Sequence, residues 1–239
     1  MPRNPRCVLP GVAHHVTQRG VNREDVYYSH RDRETYLTLV QDQRNDAGGR
    51  VLGWCLMTNH VHWVVVPEQE DSLAVLFRRV NGRYAQYLNA GRRRTGHLWQ
   101  NRYFSCPVAA EKEEIVLRYT EWNPVRAAMV DRPEEYKWSS AAAHLVGPGA
   151  ERTALLDWTY WSNLGGGEEW KRRLEMTEDV RDVQRLRRAT YAGSPLGSEG
   201  FVAEIEERFG RQWRKPGRPK KDVGKAEKGT GHTATVSAG

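Results

Sequence analysis

Residues 59–66 read Asn-His-Val-His-Trp-Val-Val-Val, and this stretch decides how the chain folds. Its valines and tryptophan predict a buried β-strand, because branched and aromatic side chains pack well on a pleated surface. Side chains two residues apart on a strand point to the same face. His60 and His62 therefore share one face, while Val61 and Trp63 share the other. Two imidazoles on one face can chelate a divalent cation, the alternative being a hydrogen-bonded, partly exposed pair.

The segments around this strand alternate between strand and helix patterns. A second β-rich run over residues 50–58 meets it at Thr58–Asn59, which predicts a hairpin. Further strands are predicted at 12–19 and 102–108. Helices are predicted at 30–47, at 72–90 with Asp71 as N-cap, and at 111–123, where Pro124 ends the helix. The order β-α-β-β-α-β followed by a helix is that of the ferredoxin-like split βαβ fold.

We therefore predict an α+β chain with an antiparallel sheet and helices on one face. The stretch HLVGPGA marks the end of this first domain, residues 1–147. Residues 148–213 carry amphipathic helical patterns and are predicted to form a helical accessory region. Residues 214–239 hold seven Lys or Arg against two acidic residues and have few apolar side chains. This basic tail is predicted to be disordered.

Composition narrows the class of protein. The 239 residues are 38% hydrophobic and 28% charged, which indicates a compact core with some extended, solvated sequence. A long apolar run and the apolar part of a signal peptide are both missing, so we expect a cytoplasmic protein without a transmembrane segment. The three cysteines, Cys7, Cys55 and Cys106, are widely spaced and form no C-x-x-C. A disulfide framework or a cysteine zinc site is therefore not expected.

The positive charge favours nucleic acid as the partner. The net charge is +7, and arginines cluster beside aromatic residues, a pattern typical of nucleic-acid binding; an ordinary solvated surface is the alternative. Trp99 and Tyr103 could stack on unpaired bases or pack in the core. The tail stretch GRPKK resembles an AT-hook-like minor-groove element. The candidate DNA-binding residues are Arg19, Arg78, Arg79, Arg83, Arg92, Arg93, Arg94, Trp99, Arg102, Tyr103, Arg218, Lys220 and Lys221.

The predicted helix 111–123 offers a second pair of chemically capable residues. Tyr119 and Asn123 are four residues apart and so share a helix face. The amide oxygen of Asn123 can ligate a hard cation, and the phenol of Tyr119 can act as a nucleophile. If this face packs against the histidine strand, a nucleophile and three metal ligands converge. The alternative is a core tyrosine and an asparagine that ends the helix.

These two elements resemble a known family. The His60-Val61-His62 strand, followed by the helix with YTEWNPVRAAMV at 119–130, resembles the HUH single-tyrosine transposases. More narrowly, it resembles the REP-associated tyrosine transposases. The resemblance covers most of residues 6–221. Its other blocks, in chain order, are HHVTQRGVNRED, GHLWQNRYFS, YKWSSAAAHL, and SPLGSEGFVAEIEERFGR followed by GRPKK.

The resemblance implies an enzyme that cleaves and rejoins single-stranded hairpin DNA. It implies that His60, His62 and Asn123 hold a divalent metal, Mg²⁺ or Mn²⁺, although many wider relatives have Gln where this chain has Asn123. Tyr119 would attack the DNA, leaving a 5′-phosphotyrosine and a free 3′-hydroxyl. Rejoining then needs no nucleotide, and no G-x-x-x-x-G-K-[ST] loop is present. The sequence assigns no general base.

Two other functions remain as alternatives. A domesticated transposase could recognise repeat hairpins without cutting them, although every motif residue is intact. A metal-dependent hydrolase of a small substrate is disfavoured, because it gives the positive charge no role. We expect a cytoplasmic protein associated with the nucleoid. A monomer is favoured, with the helical region replacing a partner subunit, and a dimer stays open.

Overall fold

A four-stranded antiparallel sheet forms the centre of the protein. The computed structural model describes residues 6–149 and 153–213. The strands are β1 (His14–Arg19), β2 (Gly49–Leu56), β3 (His60–Pro67) and β4 (Phe104–Pro107), in the spatial order β2-β3-β1-β4. Adjacent strands are antiparallel throughout, and helices fall between them in the predicted order. The α+β class with the split βαβ arrangement is therefore confirmed.

Two crossover helices cover one face of the sheet. Helix α1 (His30–Arg44) and helix α2 (Ser72–Gly91) pack on Val61, Trp63 and Val65 of β3. Ser29 starts α1 with a capping box, in which its hydroxyl accepts from the Asp32 N–H and the Asp32 carboxylate accepts from the Ser29 N–H. These helices lie on one face, as predicted for the split βαβ unit.

The start of α2 differs from the prediction. Asp71 makes no side-chain capping bond, because its backbone is already helical, with φ −99° and ψ −5°, whereas an N-cap residue is extended. The hydroxyl of Ser72 instead accepts from the Gln69 N–H at 3.0 Å.

Later helices cover the second face. Helix α3 (Ala110–Glu121), α7 (Gly166–Glu175) and α8 (Val180–Ala192) share a core with the strand residues Leu52, Val64, Val66 and Cys106. Helices therefore lie on both faces of the complete sheet, beyond the single face predicted for it. The physical reason is that β3 is apolar on both sides, since Val64 and Val66 follow the two histidines on their face.

Pro124 was predicted to end the helix that carries Tyr119, but the structure places it inside a second short helix. Helix α3 stops at Glu121, and a four-residue helix, α4 (Asn123–Arg126), follows with proline in its first turn. Proline lacks an N–H but has a φ that suits this position, so it begins a new helical segment. Asn123 thus lies at the junction between two helices.

A buried carboxylate fixes the end of α3. Glu121 is fully buried and accepts from the Ser140 hydroxyl at 2.5 Å and from Trp170 Nε1 at 2.8 Å. Its third partner is His144 Nδ1, at 2.5 Å. These bonds tie α3 to α7 and to α5 (Ala141–Val146). A buried carboxylate is tolerated only when it is well paired, so Glu121 holds the helix that carries Tyr119 in one place.

The remaining helices extend the C-terminal half. They are α6 (Trp158–Asn163) and α9 (Glu199–Phe209). None of the helices in the described ranges is long and apolar enough to cross a membrane. All three cysteines are buried and free. The predicted basic tail lies outside the described residues, and the division at residue 147 stays a prediction.

We predict that Gly53→Ala destabilises the fold. Gly53 follows a register shift in β2, and a Cβ there would lie 2.6 Å from Leu117 Cδ2 and 3.2 Å from Ser140 Oγ. Such overpacking should lower the free energy of unfolding by about 1–3 kcal/mol, measured by urea denaturation. The control is Gly82→Ala in α2, where a Cβ meets nothing within 4 Å. That change should be neutral or stabilise by up to about 1 kcal/mol. Equal stability of the two variants would show that Leu117 of α3 does not pack closely against Gly53 of β2.

Candidate active site

A pocket of about 380 Å³ lies between the sheet, α3 and α8. Its walls include four residues singled out in the sequence, namely His60, His62, Tyr119 and Asn123. Strand β3 carries the two histidines, and helix α3 carries Tyr119 and leads to Asn123. The two elements meet because α3 packs on β2 and β3. The structure thus brings the two predicted pairs of residues into one cavity.

The two histidines face the pocket as neutral imidazoles. Their ring centroids are 5.0 Å apart. Burial lowers the pKa of His60 to about 4, with the positive charge of Arg19 adding to the effect. Burial also lowers the pKa of His62 well below its usual value, and the neighbouring His60 and His15 contribute. Both rings are therefore neutral at pH 7, which is the form that ligates metal ions.

The protonated nitrogen of His60 follows from its neighbour. His60 Nδ1 lies 2.7 Å from Asn59 Oδ1, and the Asn59 amide nitrogen donates to the Arg23 carbonyl at 2.9 Å. Because Oδ1 only accepts, His60 Nδ1 carries the proton. The other ring nitrogen, Nε2, keeps its lone pair and is the atom able to bind a cation.

His62 is held from behind by a second histidine. Its Nδ1 is 3.0 Å from Nε2 of His15, and the two rings stack with centroids 5.2 Å apart. His15 is buried, and its Nδ1 lies 2.7 Å from the Thr190 hydroxyl. Both nitrogens of His15 are thus occupied.

The ring of Tyr119 lies beside the rings of His62 and His15. Its ring meets those of His62 and His15 edge-on, with centroids 5.7 Å apart in each case. The phenol oxygen accepts from Arg187 Nε at 3.3 Å. The guanidinium of Arg126 lies 4.2 Å from the ring centroid, donates to the Tyr119 carbonyl and pairs with Glu178 at 2.5 Å. The phenol oxygen is therefore placed between the imidazoles and positive charge.

Asn123 reaches the pocket from the junction after α3. Its amide nitrogen donates to the carbonyls of Tyr119 at 3.0 Å and Thr120 at 3.1 Å. With the nitrogen occupied, the amide oxygen is the atom left to ligate a cation. Among the residues that the structure describes, no group of three or more His, Cys, Asp or Glu side chains is arranged to hold a metal ion. The candidate donor set is therefore two imidazoles and one amide.

A family comparison covers the segment that carries these four residues. Residues 10–123 match the family model described as "Transposase IS200 like". This segment, somewhat less than half of the chain, is therefore similar to the IS200-like transposases. It includes both histidines and Tyr119, and Asn123 is its last matched residue.

A solved structure shares the fold of this chain. It is a REP-associated tyrosine transposase bound to a REP hairpin, and it aligns with a TM-score of 0.53 and 14% identity. The alignment covers 64% of this chain and 90% of that chain. Together with the family model, it confirms the resemblance predicted from the sequence.

Other comparisons add little. A protein from Deinococcus radiodurans R1 described as a transposase aligns at 14% identity over 49% of this chain and 95% of that chain. Its TM-score of 0.35 is too low to bear on the fold. No curated protein matches the chain.

Four polar residues that line this pocket were not predicted from the sequence: His15, Arg126, Arg187 and Thr190. His15 could have been found, because β1 pairs with β3 in a register that sets Thr17 opposite His62 and so places His15 on the histidine face. Arg187 and Thr190 lie on α8, an amphipathic helix whose pattern does not single them out. The structure alone joins them to the site.

The predicted DNA-binding arginines are spread over the surface of the protein. Arg19 lines the pocket. Arg78, Arg79 and Arg83 are exposed on α2, across the sheet from the pocket.

The other predicted arginines within the described residues lie in loops. In the loop after α2, Arg92 stacks 3.6 Å from the Tyr28 ring centroid, Arg93 is exposed, and Arg94 pairs with Glu24 at 3.2 Å. Arg102 is exposed in a groove that shares Thr190 and Tyr191 with the pocket. Arg218, Lys220 and Lys221 lie outside the described residues.

The two aromatic candidates are packed rather than free. Trp99 is half-buried, contacts the rings of Tyr36 and Tyr84, and donates through Nε1 to the Asn81 carbonyl at 3.2 Å. Tyr103 is buried against Phe77, and the Arg6 guanidinium lies 3.8 Å from its ring centroid. Both side chains also line a groove of about 790 Å³ together with Arg78 and Arg102, so their role in stacking on bases stays a prediction.

Proposed function

We propose that this chain is a metal-dependent single-stranded DNA endonuclease and strand transferase that acts on hairpin DNA. The observation that carries the proposal is one pocket holding two neutral imidazoles, an amide oxygen and a tyrosine phenol. The transposase family of residues 10–123 supports DNA as the substrate. The hairpin bound by the structural neighbour supports a hairpin as its form.

The donor set of the pocket fits a divalent cation. His60 and His62 would bind it through imidazole nitrogen, and Asn123 through its amide oxygen. Imidazole is a common ligand of first-row transition metals, and an amide oxygen suits hard cations such as Mn²⁺ and Mg²⁺. A bound cation would polarise the scissile phosphate and offset the charge that grows on its oxygens. The proposal needs no nucleotide cofactor.

The chemical step uses Tyr119 as the nucleophile. The phenol loses its proton to solvent, and the phenol oxygen forms a bond to phosphorus as the bond from phosphorus to O3′ breaks. The departing O3′ takes up a proton and becomes a free 3′-hydroxyl. One phosphoester bond replaces another, so a 3′-hydroxyl can attack the 5′-phosphotyrosine and rejoin the strand without ATP.

The charge around the pocket fits a nucleic-acid partner. Arg19, Arg126 and Arg187 line the pocket and would draw in the phosphate. We propose that the exposed arginines on α2 and in the following loop make further phosphate contacts. We propose that the protein acts as a monomer, in which one chain supplies both histidines and Tyr119. Association with the nucleoid stays a prediction.

We predict that Tyr119→Phe abolishes covalent attachment to DNA. The protein is incubated with a labelled hairpin oligonucleotide and Mn²⁺, and adducts are resolved on a denaturing gel. Wild type should form the adduct. The variant should not, because it lacks the attacking oxygen, yet it should still shift the hairpin on a native gel. The control is Tyr87→Phe, whose hydroxyl bonds Asp32 at 3.1 Å in the layer beyond the sheet.

Two outcomes would change the assignment. An adduct formed by Tyr119→Phe would show that another residue is the nucleophile. A wild-type protein that binds the hairpin and never cuts it in Mn²⁺ or Mg²⁺ would be the non-cleaving binder.

We also predict that His60→Ala and His62→Ala each abolish cleavage with either cation. Each change removes one ligand of the proposed metal, so Mn²⁺ binding measured by calorimetry should fall together with cleavage. Chelation with EDTA should stop the wild-type reaction in the same way. His30→Ala is the matched control, since His30 is exposed at the start of α1 and packs on Trp138. Full cleavage by the His62 variant would rule out this metal site.

A further inference from the structure

Helix α8 presents two polar residues to the active-site pocket. Arg187 and Thr190 are three residues apart and lie on one side of the helix. Leu186 and Ala189, each of which directly precedes one of them, are buried in the core that α8 shares with the sheet, and this burial holds the helix in place. All of α8 lies beyond residues 10–123, the segment that the family model covers.

Thr190 starts a chain of hydrogen bonds that ends at His62. Its hydroxyl donates to the Leu186 carbonyl at 2.9 Å. A hydroxyl has one proton to donate, so towards His15 Nδ1, 2.7 Å away, the same oxygen accepts. His15 Nδ1 therefore carries a proton and donates it into this bond.

The chain then fixes the protonation of His62. His15 is buried without an anionic partner in the pocket, so its ring is neutral, and Nε2 has a lone pair. That lone pair accepts from His62 Nδ1 at 3.0 Å. Since His62 is neutral and protonated on Nδ1, its Nε2 is bare and is the atom able to ligate a cation. The other tautomer of His62 would set two lone pairs against each other, with no proton between His62 Nδ1 and His15 Nε2.

His15 is a positioning residue rather than a ligand, because both of its nitrogens are occupied. Groups that hydrogen-bond a metal-binding histidine set its orientation and tautomer, and their removal typically weakens metal binding about 10–100-fold. Thr190 has the same role one step further from the pocket.

Arg187 acts on the other half of the site. Its Nε donates to the phenol oxygen of Tyr119 at 3.3 Å, and the residue is exposed at the surface. The bond raises the pKa of Arg187, as expected when a guanidinium donates to an electron-rich oxygen. Arginine stays charged at any working pH, so it can stabilise the negative charge that forms on the oxygen when the proton leaves.

We propose that α8 completes the active site. Thr190, through His15, holds His62 in its metal-binding form, and Arg187 is a catalytic residue that stabilises the attacking oxygen of Tyr119. This inference rests on the proposed function, and each arm has its own test.

The first test measures metal binding without DNA. Mn²⁺ is titrated calorimetrically into the full-length protein. Thr190→Val keeps the shape of the side chain and removes the hydroxyl, so it should weaken binding about 10–100-fold. Thr190→Ser, which keeps the hydroxyl, should restore it. His15→Gln is an independent variant if Thr190→Val does not fold, and it should weaken binding as well.

The outcomes separate this arm from the metal site itself. If Thr190→Val and His15→Gln bind Mn²⁺ as tightly as wild type while His62→Ala does not, the positioning role is wrong and the metal site stands. If wild type does not bind Mn²⁺, or His62→Ala binds it equally, the proposed metal site fails instead.

The second test measures the rate of adduct formation in a single turnover at saturating hairpin DNA and Mn²⁺. Arg187→Ala should slow it about 10²-fold, in line with the loss of one donor to a developing oxyanion. Arg187→Lys, which keeps the charge, should recover part of the rate. The control is Arg188→Ala, an exposed neighbour on the same helix that bonds Gln184 at 3.2 Å.

A loss confined to DNA affinity, with an unchanged rate at saturation, would make Arg187 a DNA contact and overturn its catalytic role. An equal rate and affinity in Arg187→Ala would overturn it as well. If wild type forms no adduct, the failure belongs to the proposed function and not to α8.

Discussion

The pairing of β3 with β1 and β2 is the constraint on which the site depends. Because side chains alternate along a strand, a slip of one residue would send Trp63 into the pocket and His62 into the core. Aromatic packing opposes such a slip, since Trp63 stacks on Trp54 with centroids 6.1 Å apart and also meets Tyr36. The same register brings His15 of β1 within hydrogen-bonding distance of His62. The core on one face thus sets the geometry of the pocket on the other.

The proposed nucleophile, Tyr119, is held in place by a different set of contacts. Tyr119 is two residues from Glu121, whose donors Ser140, His144 and Trp170 all follow residue 123 in the sequence. Removing one partner of a buried charged group is strongly destabilising, so this network gives α3 little freedom to shift. Together with α8, it makes the C-terminal half of the chain part of the support of the pocket. The segment matched by the family model supplies the reactive groups, and the later helices hold them.

Local patterns predicted much of this arrangement. Strand alternation placed the histidines on one face, helical spacing paired Tyr119 with Asn123, and the order of elements indicated the split βαβ fold. The contacts that sequence reasoning missed are long-range, as with His15 and Thr190, which are 175 residues apart. Helices on both faces were foreseeable from Val64 and Val66, which make the histidine face apolar beyond the site. Aromatic residues such as Tyr103 suit both a core and a stacking surface, and Tyr103 both packs against Phe77 and Arg6 and lines a groove with Arg78 and Arg102.

The arginines around the pocket connect metal binding with DNA binding. Burial is the main reason why the imidazoles are neutral, and nearby guanidinium groups add to it, with Arg19 lowering the pKa of His60 and Arg126 that of His15. The same positive charges favour an anion in the pocket, whether a phosphate or the ionised phenol of Tyr119. Among them, Arg126 is paired with Glu178, and Arg19 and Arg187 are the other arginines of the pocket lining. The charges that lower the pKa of these histidines would therefore also attract an anionic substrate, so one set of side chains serves both parts of the proposed function.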